Sequence, residues 1–373
     1  MKSVANVVLN DFTNDSRVLK ISKSLSSFGL QPTVVAMHNE GLLQKESMGV
    51  VDVERIKLTS RPWPKWKLIQ LVKYFEFLVR VFLRYRNVDF VHCNDLNALP
   101  IGLLIKLFGR NVTVVYDCHE YETEVNGLRG WEKRSKRWLE RALIGFADEV
   151  ISVSDSIASE YKRIYGIPKP RLVLNCPLLK EIEKGNRFRE ILGIRPDQKI
   201  FLYQGALMRG RGIDILLEAF DGFESDENVL VCMGYGELEG IVKSTASRSD
   251  KVFFHPAVSP NILLEYTCSA DYGISFIEDI SLSDRYCLPN KLFEYIMAGL
   301  PVLTSNLFEM KRLVEGKCIG IVATSNTIDG FRNAITATLR LDYSSVHKNV
   351  REARTLFCWE EQEKVLKEIY NVL

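Results

Sequence analysis

Short apolar runs alternate with amphipathic stretches along most of the chain. These runs predict six strands in the first half, at residues 4–9, 33–37, 89–92, 112–116, 149–153 and 172–174. They predict six more in the second half, at residues 200–203, 229–233, 252–254, 272–276, 301–303 and 319–322. Helical patterns fill most of the intervening segments. Strands that alternate with helices favour parallel sheets covered on both faces, so the pattern predicts an α/β protein with two Rossmann-like domains in series.

The predicted domain boundary lies where the apolar rhythm pauses. Pro177 and the charged residues 180–184 interrupt the periodicity. We therefore expect a first domain over residues 1–178, a second over 179–356, and an amphipathic helix within 357–373. Ligands of open parallel sheets bind beside the carboxyl ends of the strands, so the two domains are expected to face a central cleft that holds the active site.

Composition and charge restrict the class of protein. The 373 residues are 46% hydrophobic and 26% charged, which is typical of a soluble globular protein. Residues 1–180 carry 27 Lys and Arg against 19 Asp and Glu, whereas the remainder carries 22 against 28. The basic first half favours an anionic surface or a polyanion as a partner, and on charge alone both membrane lipid and nucleic acid are admissible.

The cysteines and the apolar runs indicate the compartment. Eight cysteines are scattered without a CxxC pair or a paired histidine spacing, so neither a zinc site nor a disulfide framework is predicted. That usage fits a reducing cytosol. The N-terminal residues do not have the pattern of a signal peptide, and no run of about 18 uncharged apolar residues occurs. We expect a cytoplasmic protein without a membrane span.

The most informative segment runs from residue 288 to residue 303. Pro289 suits the first turn of a helix, where Asn290 and Lys291 then lie among unpaired backbone N–H groups that attract anions. Glu294 follows one turn later on the same face, and Gly299 ends the helix. The segment can hold a phosphate and a hydroxylated group together, although an ordinary capped helix would show the same features.

A glycine-rich loop follows the first strand predicted in the second domain. It contains Gly205, Arg209 and Arg211, and glycine lets a backbone approach phosphates while arginine supplies paired donors for their oxygens. Tyr235 lies in a Gly-x-Gly turn after the next strand, and Pro256 follows the one after that. Neither domain opens with a GxGxxG motif, which disfavours a nicotinamide cofactor.

Polar residues also follow the strands of the first domain. His119 and Glu120 come directly after a strand, and Glu122 is close behind. A histidine flanked by carboxylates at a strand end favours a site role. Asp95 follows another strand, with its role open. The segment of residues 10–17 has either a helix-capping or a site role, and its candidate residues are Asn14, Asp15 and Arg17.

The order of these motifs resembles the retaining glycosyltransferases of family 4 (glycosyl transferases group 1), which have the two-domain GT-B fold. The resemblance implies that Glu294 holds the donor ribose and that Lys291 lies near the diphosphate. It further implies that the final helix crosses back to the first domain and that His119 supports the transferred sugar. On the resemblance and the residues together, we predict that donor binding involves Gly205, Arg209, Arg211, Tyr235, Pro256, Asn290, Lys291 and Glu294. Catalysis is assigned to His119, Arg211 and Glu294, and acceptor binding to Asn14, Asp15, Arg17, Asp95 and Glu120.

The chain departs from the family pattern at two places. Ala206 stands where relatives have an arginine, and Arg211 stands where they have a lysine, so Arg209 is a candidate for the missing charge. Relatives also carry two glutamates separated by seven residues, but here the first position is Tyr286. Backbone amides are one replacement for that acid, and the candidate side chains are those of Glu278, Asp279 and Asp284.

The resemblance implies a metal-independent, retaining transfer of a hexose or N-acetylhexosamine from a nucleoside diphosphate sugar, with UDP favoured over GDP. The implied acceptor is a glycan or a lipid-linked glycan of a surface polysaccharide such as O-antigen or capsule, and no nucleic-acid partner or organic cofactor is implied. Two alternatives stay open: a catalytically silent GT-B-like partner subunit, which the loss of the acid at Tyr286 would fit, and a GT-B epimerase that acts on the nucleotide sugar itself.

Two basic segments rich in tryptophan favour contact with a membrane. The segment Trp63–Arg86 combines tryptophans, basic residues and an apolar helical stripe, which suits an anionic lipid surface. Residues 129–141 have a similar composition. A core helix with a solvated basic face is the alternative for both. The first segment predicts a peripheral position on the inner face of the cell membrane.

Overall fold

The computed structural model describes residues 1–13 and 15–371, which form two compact units. Unit 1 comprises Met1–Val173 together with the C-terminal residues from Glu363 onward. Unit 2 comprises Leu174–Gln362. Each unit has its own parallel sheet and its own core.

Unit 1 contains an eight-stranded sheet. Its strands are β1 (Ser3–Val7), β2 (Gln31–Met37), β3 (Lys45–Met48), β4 (Val51–Ile56), β5 (Phe90–Asn94), β6 (Thr113–Cys118), β7 (Glu149–Ser152) and β8 (Arg171–Leu172). The strand order is β3-β4-β2-β1-β5-β6-β7-β8, and every pair is parallel except β3 with β4. The helices are α1 (Ser16–Ser27), α2 (Lys67–Tyr85), α3 (Leu99–Phe108), α4 (Gly130–Leu143) and α5 (Asp155–Tyr165), with a 3-10 turn at Ile144–Phe146.

The strands β3 and β4 were absent from the sequence prediction. In β4, buried Val51 and Val53 alternate with polar neighbours, so the strand has no continuous apolar run. The edge strand β3 has no fully buried residue. A criterion based on apolar runs finds strands that are buried on both faces and misses half-exposed ones.

Unit 2 contains a six-stranded sheet in which every pair is parallel. Its strands are β9 (Lys199–Ala206), β10 (Asn228–Tyr235), β11 (Val252–Pro256), β12 (Tyr272–Ser275), β13 (Val302–Thr304) and β14 (Gly320–Val322), in the order β11-β10-β9-β12-β13-β14. Its helices are α6 (Arg187–Leu192), α7 (Ile213–Asp221), α8 (Glu239–Ala246), α9 (Leu263–Thr267), α10 (Leu282–Arg285), α11 (Asn290–Met297), α12 (Phe308–Lys317), α13 (Ile328–Leu339) and α14 (Tyr343–Leu356). The last helix, α15 (Trp359–Ile369), begins in unit 2 and ends in the residues that belong to unit 1.

Two apolar clusters hold unit 2 together. One contains the buried side of α11 with residues of α12 and α14, and the other contains α7 and α13 with residues of β9 and β10. Close packing at the carboxyl end of the sheet demands glycine at Gly234, because a Cβ there would lie 1.9 Å from the carbonyl oxygen of Gly205. The α11 helix lies beside β9 and β12, because the Tyr295 hydroxyl accepts from the Gln204 N–H and donates to the Ile274 carbonyl.

Across residues 1–13 and 15–371, no helix has the length and apolar character that a bilayer crossing requires.

Candidate active site

In unit 2 the helix α11 points its first turn at the carboxyl end of β9. Pro289 has an extended backbone and caps the helix, so it stands one residue before the first turn in which the sequence placed it. Asn290 is the first helical residue, and its side-chain oxygen accepts a 2.7 Å hydrogen bond from Asn175. Gly299 follows the last turn with a positive φ of 79°, which confirms the predicted helix end.

The ammonium group of Lys291 lies over β9. Its Nζ is 3.6 Å from the ring centroid of Tyr203, and a Cβ added at Gly205 would lie 3.8 Å from Nζ. Nζ is buried and has no hydrogen-bond partner among the described residues. Burial, together with the nearby positive charge of Arg211, lowers the pKa of Lys291 to about 7. A buried cation without a hydrogen-bonded partner is costly, so this group is suited to receive an anion.

The carboxylate of Glu294 is held by a polar residue of β9. Gln204 donates a 2.5 Å hydrogen bond from Nε2 to Oε2 of Glu294, and its Oε1 accepts a 2.8 Å bond from the hydroxyl of Thr267. The two contacts fix the Gln204 amide in one orientation. Lys291 and Glu294 therefore lie one helical turn apart beside the end of β9. The cation is suited to an anion, and the carboxylate is suited to accept a hydrogen bond from a hydroxyl.

Gln204 and Thr267 were not identified from the sequence. The available signal was a single polar residue, Gln204, inside the otherwise apolar run of β9 and directly before Gly205. A polar side chain in a buried strand needs a hydrogen-bond partner inside the protein. For Gln204 those partners are Thr267 and Glu294.

The loop between β9 and α7 is fixed by backbone contacts. The Gly212 N–H donates a 3.2 Å bond to Glu278 Oε1, and the Glu278 N–H donates a 3.0 Å bond to the Gly210 carbonyl. Gly212 has a φ of 64°, and a Cβ there would lie 2.1 Å from the ring of Phe276. The Arg209 N–H donates a 3.0 Å bond to Glu237 Oε1. The Arg209 side chain is exposed and that of Arg211 is half-buried, and the positive charge of Arg211 acts on Lys291.

Tyr235 and Pro256 lie at the ends of the two neighbouring strands. The carbonyl of Tyr235 accepts a 2.8 Å bond from Leu207 N–H, while its side chain is exposed. Pro256 is exposed, and its carbonyl oxygen lies 2.7 Å from Nδ1 of His255. These residues lie along the same sheet edge as Gly205, because β11, β10 and β9 are adjacent and parallel.

The three side chains considered as replacements for the first acid each contact the protein itself. Glu278 accepts from the Gly212 N–H, Asp279 pairs with Arg285 at 2.9 Å, and Asp284 accepts a 2.6 Å bond from Ser281. Tyr286 packs edge-on against Phe308. Each of the three candidate carboxylates therefore has a hydrogen-bond or ion-pair partner within unit 2.

In unit 1, His119 directly follows β6 and lies among three acceptors. Its Nε2 is 3.1 Å from Asn94 Oδ1 and 3.4 Å from Asp117 Oδ2, and its Nδ1 is 3.5 Å from Asp95 Oδ1. Burial lowers the pKa of His119, but the carboxylates of Asp117 and Asp95 outweigh it, and the net pKa is raised. The imidazolium form is thus stabilised.

Arg17 lies inside unit 1. Its Nε and NH2 form 2.9 and 2.7 Å hydrogen bonds to the two oxygens of Asp117, and its NH1 donates a 2.8 Å bond to the carbonyl of Val173. Both charged side chains are nearly or fully buried. Burial alone would raise the pKa of Asp117, but Arg17 and His119 hold it well below its usual range. The guanidinium of Arg17, assigned to the acceptor by resemblance, contacts Asp117 instead.

The other acceptor-side candidates differ in exposure. Asp95 has a left-handed backbone with a φ of 64° and a half-exposed side chain. Glu122 is buried and hydrogen-bonded to Asp95, and burial followed by the Asp95 charge raises its pKa well above the usual value, whereas Glu120 is exposed. Asp15 caps α1 by accepting from Val18 N–H at 3.2 Å. Asn14 lies outside the described residues.

Two further members of this network, His92 and Tyr370, went unidentified in the sequence. His92 Nε2 is 3.3 Å from Asp117 Oδ2, and His92 Nδ1 is 2.7 Å from the Tyr370 hydroxyl. No short motif links them, since 278 residues separate the two. Across residues 1–13 and 15–371, no group of three or more His, Cys, Asp and Glu side chains could hold a metal ion.

Two parallel-sheet α/β units, one with a cation and a carboxylate at its strand ends, are the architecture of the GT-B class of glycosyltransferases. Residues 16–176 match the model of Glycosyltransferase Family 4, and residues 198–340 match that of Glycosyl transferases group 1. The chain belongs to the family 4 glycosyltransferases.

Similar proteins come from several organisms. Chitobiosyldiphosphodolichol beta-mannosyltransferase of Candida albicans is 22% identical over 359 residues, which cover 87% of this chain and 78% of the relative. The putative teichuronic acid biosynthesis glycosyltransferase TuaC of Bacillus subtilis is 26% identical over 253 residues, with coverage of 66% and 60%.

Solved structures share the fold at low identity. Sucrose-phosphate synthase from Thermosynechococcus elongatus has a TM-score of 0.81 at 18% identity and covers 100% of this chain and 98% of its own. HepE from Anabaena, in complex with UDP, has a TM-score of 0.77 at 16% identity with both chains fully covered. WaaG, a glycosyltransferase involved in lipopolysaccharide biosynthesis, has a TM-score of 0.71 at 16% identity, with coverage of 98% and 99%.

Proposed function

We propose that this glycosyltransferase moves a hexose or N-acetylhexosamine from a UDP-sugar to a hydroxyl of a glycan or lipid-linked glycan, with retention at the anomeric carbon and without a metal ion. The observation that carries the proposal is the buried ammonium of Lys291, which has no hydrogen-bond partner in the described residues and lies one turn from Glu294. A diphosphate would satisfy the ammonium, and a ribose hydroxyl would donate to the carboxylate.

The reaction needs charge stabilisation at the leaving group. The bond between the anomeric carbon and the β-phosphate oxygen breaks, and a bond to the acceptor oxygen forms on the same face. The proton of the acceptor hydroxyl passes to the departing UDP. Lys291, Arg211 and the N-terminus of α11 supply positive potential for the negative charge that develops on the diphosphate. We assign a hydrogen bond to the transferred sugar to His119 of unit 1.

A role in surface polysaccharide biosynthesis is supported by two of the similar proteins. TuaC is named for teichuronic acid biosynthesis, and WaaG is described as involved in lipopolysaccharide biosynthesis. UDP is favoured over GDP because HepE has been crystallised with UDP and with UDP-glucose. These likenesses support the proposed class of donor and acceptor.

We also propose that unit 1 binds the surface of an anionic membrane. Trp66 and Leu68 are 73% and 79% exposed at the start of α2, and Trp131 and Trp138 are 79% and 71% exposed on α4. Lys67 of α2 and Glu132 of α4 form a 2.5 Å ion pair, so the starts of the two tryptophan-bearing helices lie next to each other. Apolar side chains, tryptophans and basic residues together suit an anionic lipid interface.

A donor screen tests the function. The purified protein is incubated with UDP- and GDP-linked hexoses and N-acetylhexosamines, with and without EDTA, and NMR monitors both the nucleotide and the anomeric proton. Release of UDP with formation of a retained glycoside, unaffected by EDTA, is expected. Interconversion of sugars without loss of nucleotide would indicate an epimerase instead. Neither binding nor turnover of any donor would indicate a silent partner subunit.

A further inference from the structure

Three side chains that can donate hydrogen bonds surround the carboxylate of Asp117 in the interior of unit 1. It accepts two hydrogen bonds from Arg17, while His92 Nε2 and His119 Nε2 lie 3.3 and 3.4 Å from its Oδ2. The side chains of Asp117 and His92 are 0% exposed, so this carboxylate does not reach solvent or a ligand. It acts on ligands only through the side chain that does reach the surface, which is His119 at 20% exposed.

The second neighbour of His119 fixes which of its nitrogens carries the proton. The Asn94 amide donates from Nδ2 to Asn6 Oδ1 at 2.6 Å and to the Val7 carbonyl at 2.9 Å, which turns its Oδ1 toward His119. Two acceptors, Asn94 Oδ1 and the ionised Asp117, therefore face Nε2 of His119. Nε2 must carry the hydrogen, and Nδ1 is left on the side of Asp95.

His92 links Asp117 to Tyr370 in the C-terminal segment. Burial lowers the pKa of His92, so its imidazole is neutral, and it can donate to only one side. The ionised Asp117 faces Nε2, so Nε2 carries the hydrogen and Nδ1 accepts from the Tyr370 hydroxyl at 2.7 Å. Tyr370 is fully buried, and its ring stacks on His92 and packs on Phe90. Tyr370 thereby holds His92 in the tautomer that donates to Asp117.

We propose that Asp117 is a positioning residue for His119, and that Tyr370 extends this positioning to the C-terminal segment through His92. In its neutral form, the imidazole of His119 is held by this set in the Nε2–H tautomer, and its Nδ1 is left on the side of Asp95. The inference deepens the proposed function and rests on it in one respect, namely the assignment of His119 to the transferred sugar. Outer partners of this type typically change activity by about 10- to 100-fold when removed in metal sites, where an imidazole is held in the same way.

Selective labelling makes the tautomers directly observable, because the chain has five histidines. The protein is labelled with 15N-histidine, and the ring nitrogen shifts are followed from pH 5 to pH 9. The groups that face His119 and set its midpoint are Asp95, Asp117, Arg17 and His92, with Glu122 acting through Asp95. Wild-type His119 is expected to titrate with a midpoint above that of an ordinary histidine, and to be the Nε2–H tautomer at pH values above that midpoint.

Two variants and one control separate positioning from stability. Asp117→Asn alone would leave Arg17 buried without its counter-charge, so Arg17→Met is combined with it. In this double variant the His119 midpoint should fall and kcat should drop by about 10-fold or more, with the KM for the donor nearly unchanged. In Tyr370→Phe, His92 should become a mixture of tautomers and kcat should fall by a smaller factor. Tyr161→Phe, which removes another fully buried hydroxyl whose partner is Glu140, should leave both histidines and kcat as in wild type.

The outcomes are separable from those of the donor screen. A wild-type His119 in the Nδ1–H tautomer, or an unchanged midpoint in the double variant, would overturn the positioning role. If the His92 tautomer were the same in Tyr370→Phe as in wild type, Tyr370 and the C-terminal segment would have no part in positioning His119. If no donor is turned over by the wild type, the proposed function fails, while the histidine shifts still decide whether Asp117 and Tyr370 hold His119.

Discussion

Gln204 of β9 donates a 2.5 Å hydrogen bond to the carboxylate of Glu294 on α11. The same amide accepts from Thr267, and the Gln204 backbone N–H donates a 2.9 Å bond to the Tyr295 hydroxyl. One strand residue thus fixes both the side chain of Glu294 and the helix turn that carries it. The position of the carboxylate depends on the strand as much as on the helix.

Replacing Gln204 by Leu should weaken nucleotide binding without unfolding unit 2. Glu294 would lose a donor to its charge, and a hydrogen bond to a charged group contributes about 1.5–3 kcal/mol. We expect the Kd for UDP to rise about 10-fold by titration calorimetry. Gln198→Leu is the matched control, since that buried amide donates to the Asp226 carbonyl at the opposite end of β9. Equal affinity in the two variants would show that Gln204 does not hold the site.

Lys291→Met should have opposite effects on stability and on binding. It removes a buried amine that lacks a hydrogen-bond partner in the described part of the chain, so the ligand-free protein should melt at a higher temperature while stabilisation by UDP is lost. Lys311→Met, on the exposed side of α12, is the control. A variant that binds UDP as tightly as wild type would remove Lys291 from the diphosphate site.

The low pKa of Lys291 predicts proton uptake on binding. Its pKa of about 7 in the folded protein lies below the ordinary 10.5, so at pH 8 to 9 the amine is mostly neutral and a bound diphosphate would draw a proton onto it. Calorimetry in buffers of different ionisation enthalpy should show uptake of up to one proton in wild type and none in Lys291→Met. By the same linkage, wild type should gain stability relative to the variant as pH rises from 7 to about 10.5. No buffer dependence at pH 8.5 would contradict this titration.

Breaking the ion pair between Arg17 and Asp117 should destabilise the protein strongly, and a second substitution should restore most of the lost stability. Asp117→Asn leaves the buried guanidinium uncompensated and should lower the free energy of unfolding by about 3–5 kcal/mol in urea, whereas Arg17→Met with Asp117→Asn should recover most of it. Because the pKa of Asp117 is depressed, its contribution is present above the ordinary aspartate pKa and is lost as the pH falls below it. A double variant no more stable than Asp117→Asn would show that the charge is not the cause.

The exposed tryptophans predict association with anionic vesicles. Trp66→Ala combined with Trp138→Ala should weaken binding to vesicles that contain anionic lipid by about 10-fold or more, because each aromatic side chain contributes over about 1 kcal/mol when buried in lipid. Phe308→Ala, which removes a 55% exposed aromatic from unit 2, is the control. Binding should fall with added salt. Salt-insensitive retention would contradict the electrostatic part of the proposal.

Features of the fold that depend on nearby residues were predictable from the sequence, whereas contacts between distant residues were not. The end of α11 at Gly299, the Gly-x-Gly turn around Tyr235 and twelve of the fourteen strands depend on neighbours within a few residues, so the local pattern identifies them. The strands β3 and β4 were not predicted, because they are half-exposed and have no continuous apolar run. Arg17 was predicted to bind the acceptor, and its partner Asp117, 100 residues away along the chain, was not predicted.

By itself the sequence determined the two-sheet α/β architecture, the family, and the placement of Lys291, Glu294 and His119 at helix starts and strand ends, because these follow from periodicity, caps and motif order. Only the tertiary structure decided which polar groups satisfy one another. It leaves Lys291 over Tyr203 without a hydrogen-bond partner in the described residues, ties Glu294 to Gln204, and places Tyr370 against His92. The reason is physical: a buried polar side chain takes whichever partner the packed chain brings within about 3 Å, and sequence separation carries no information about that choice.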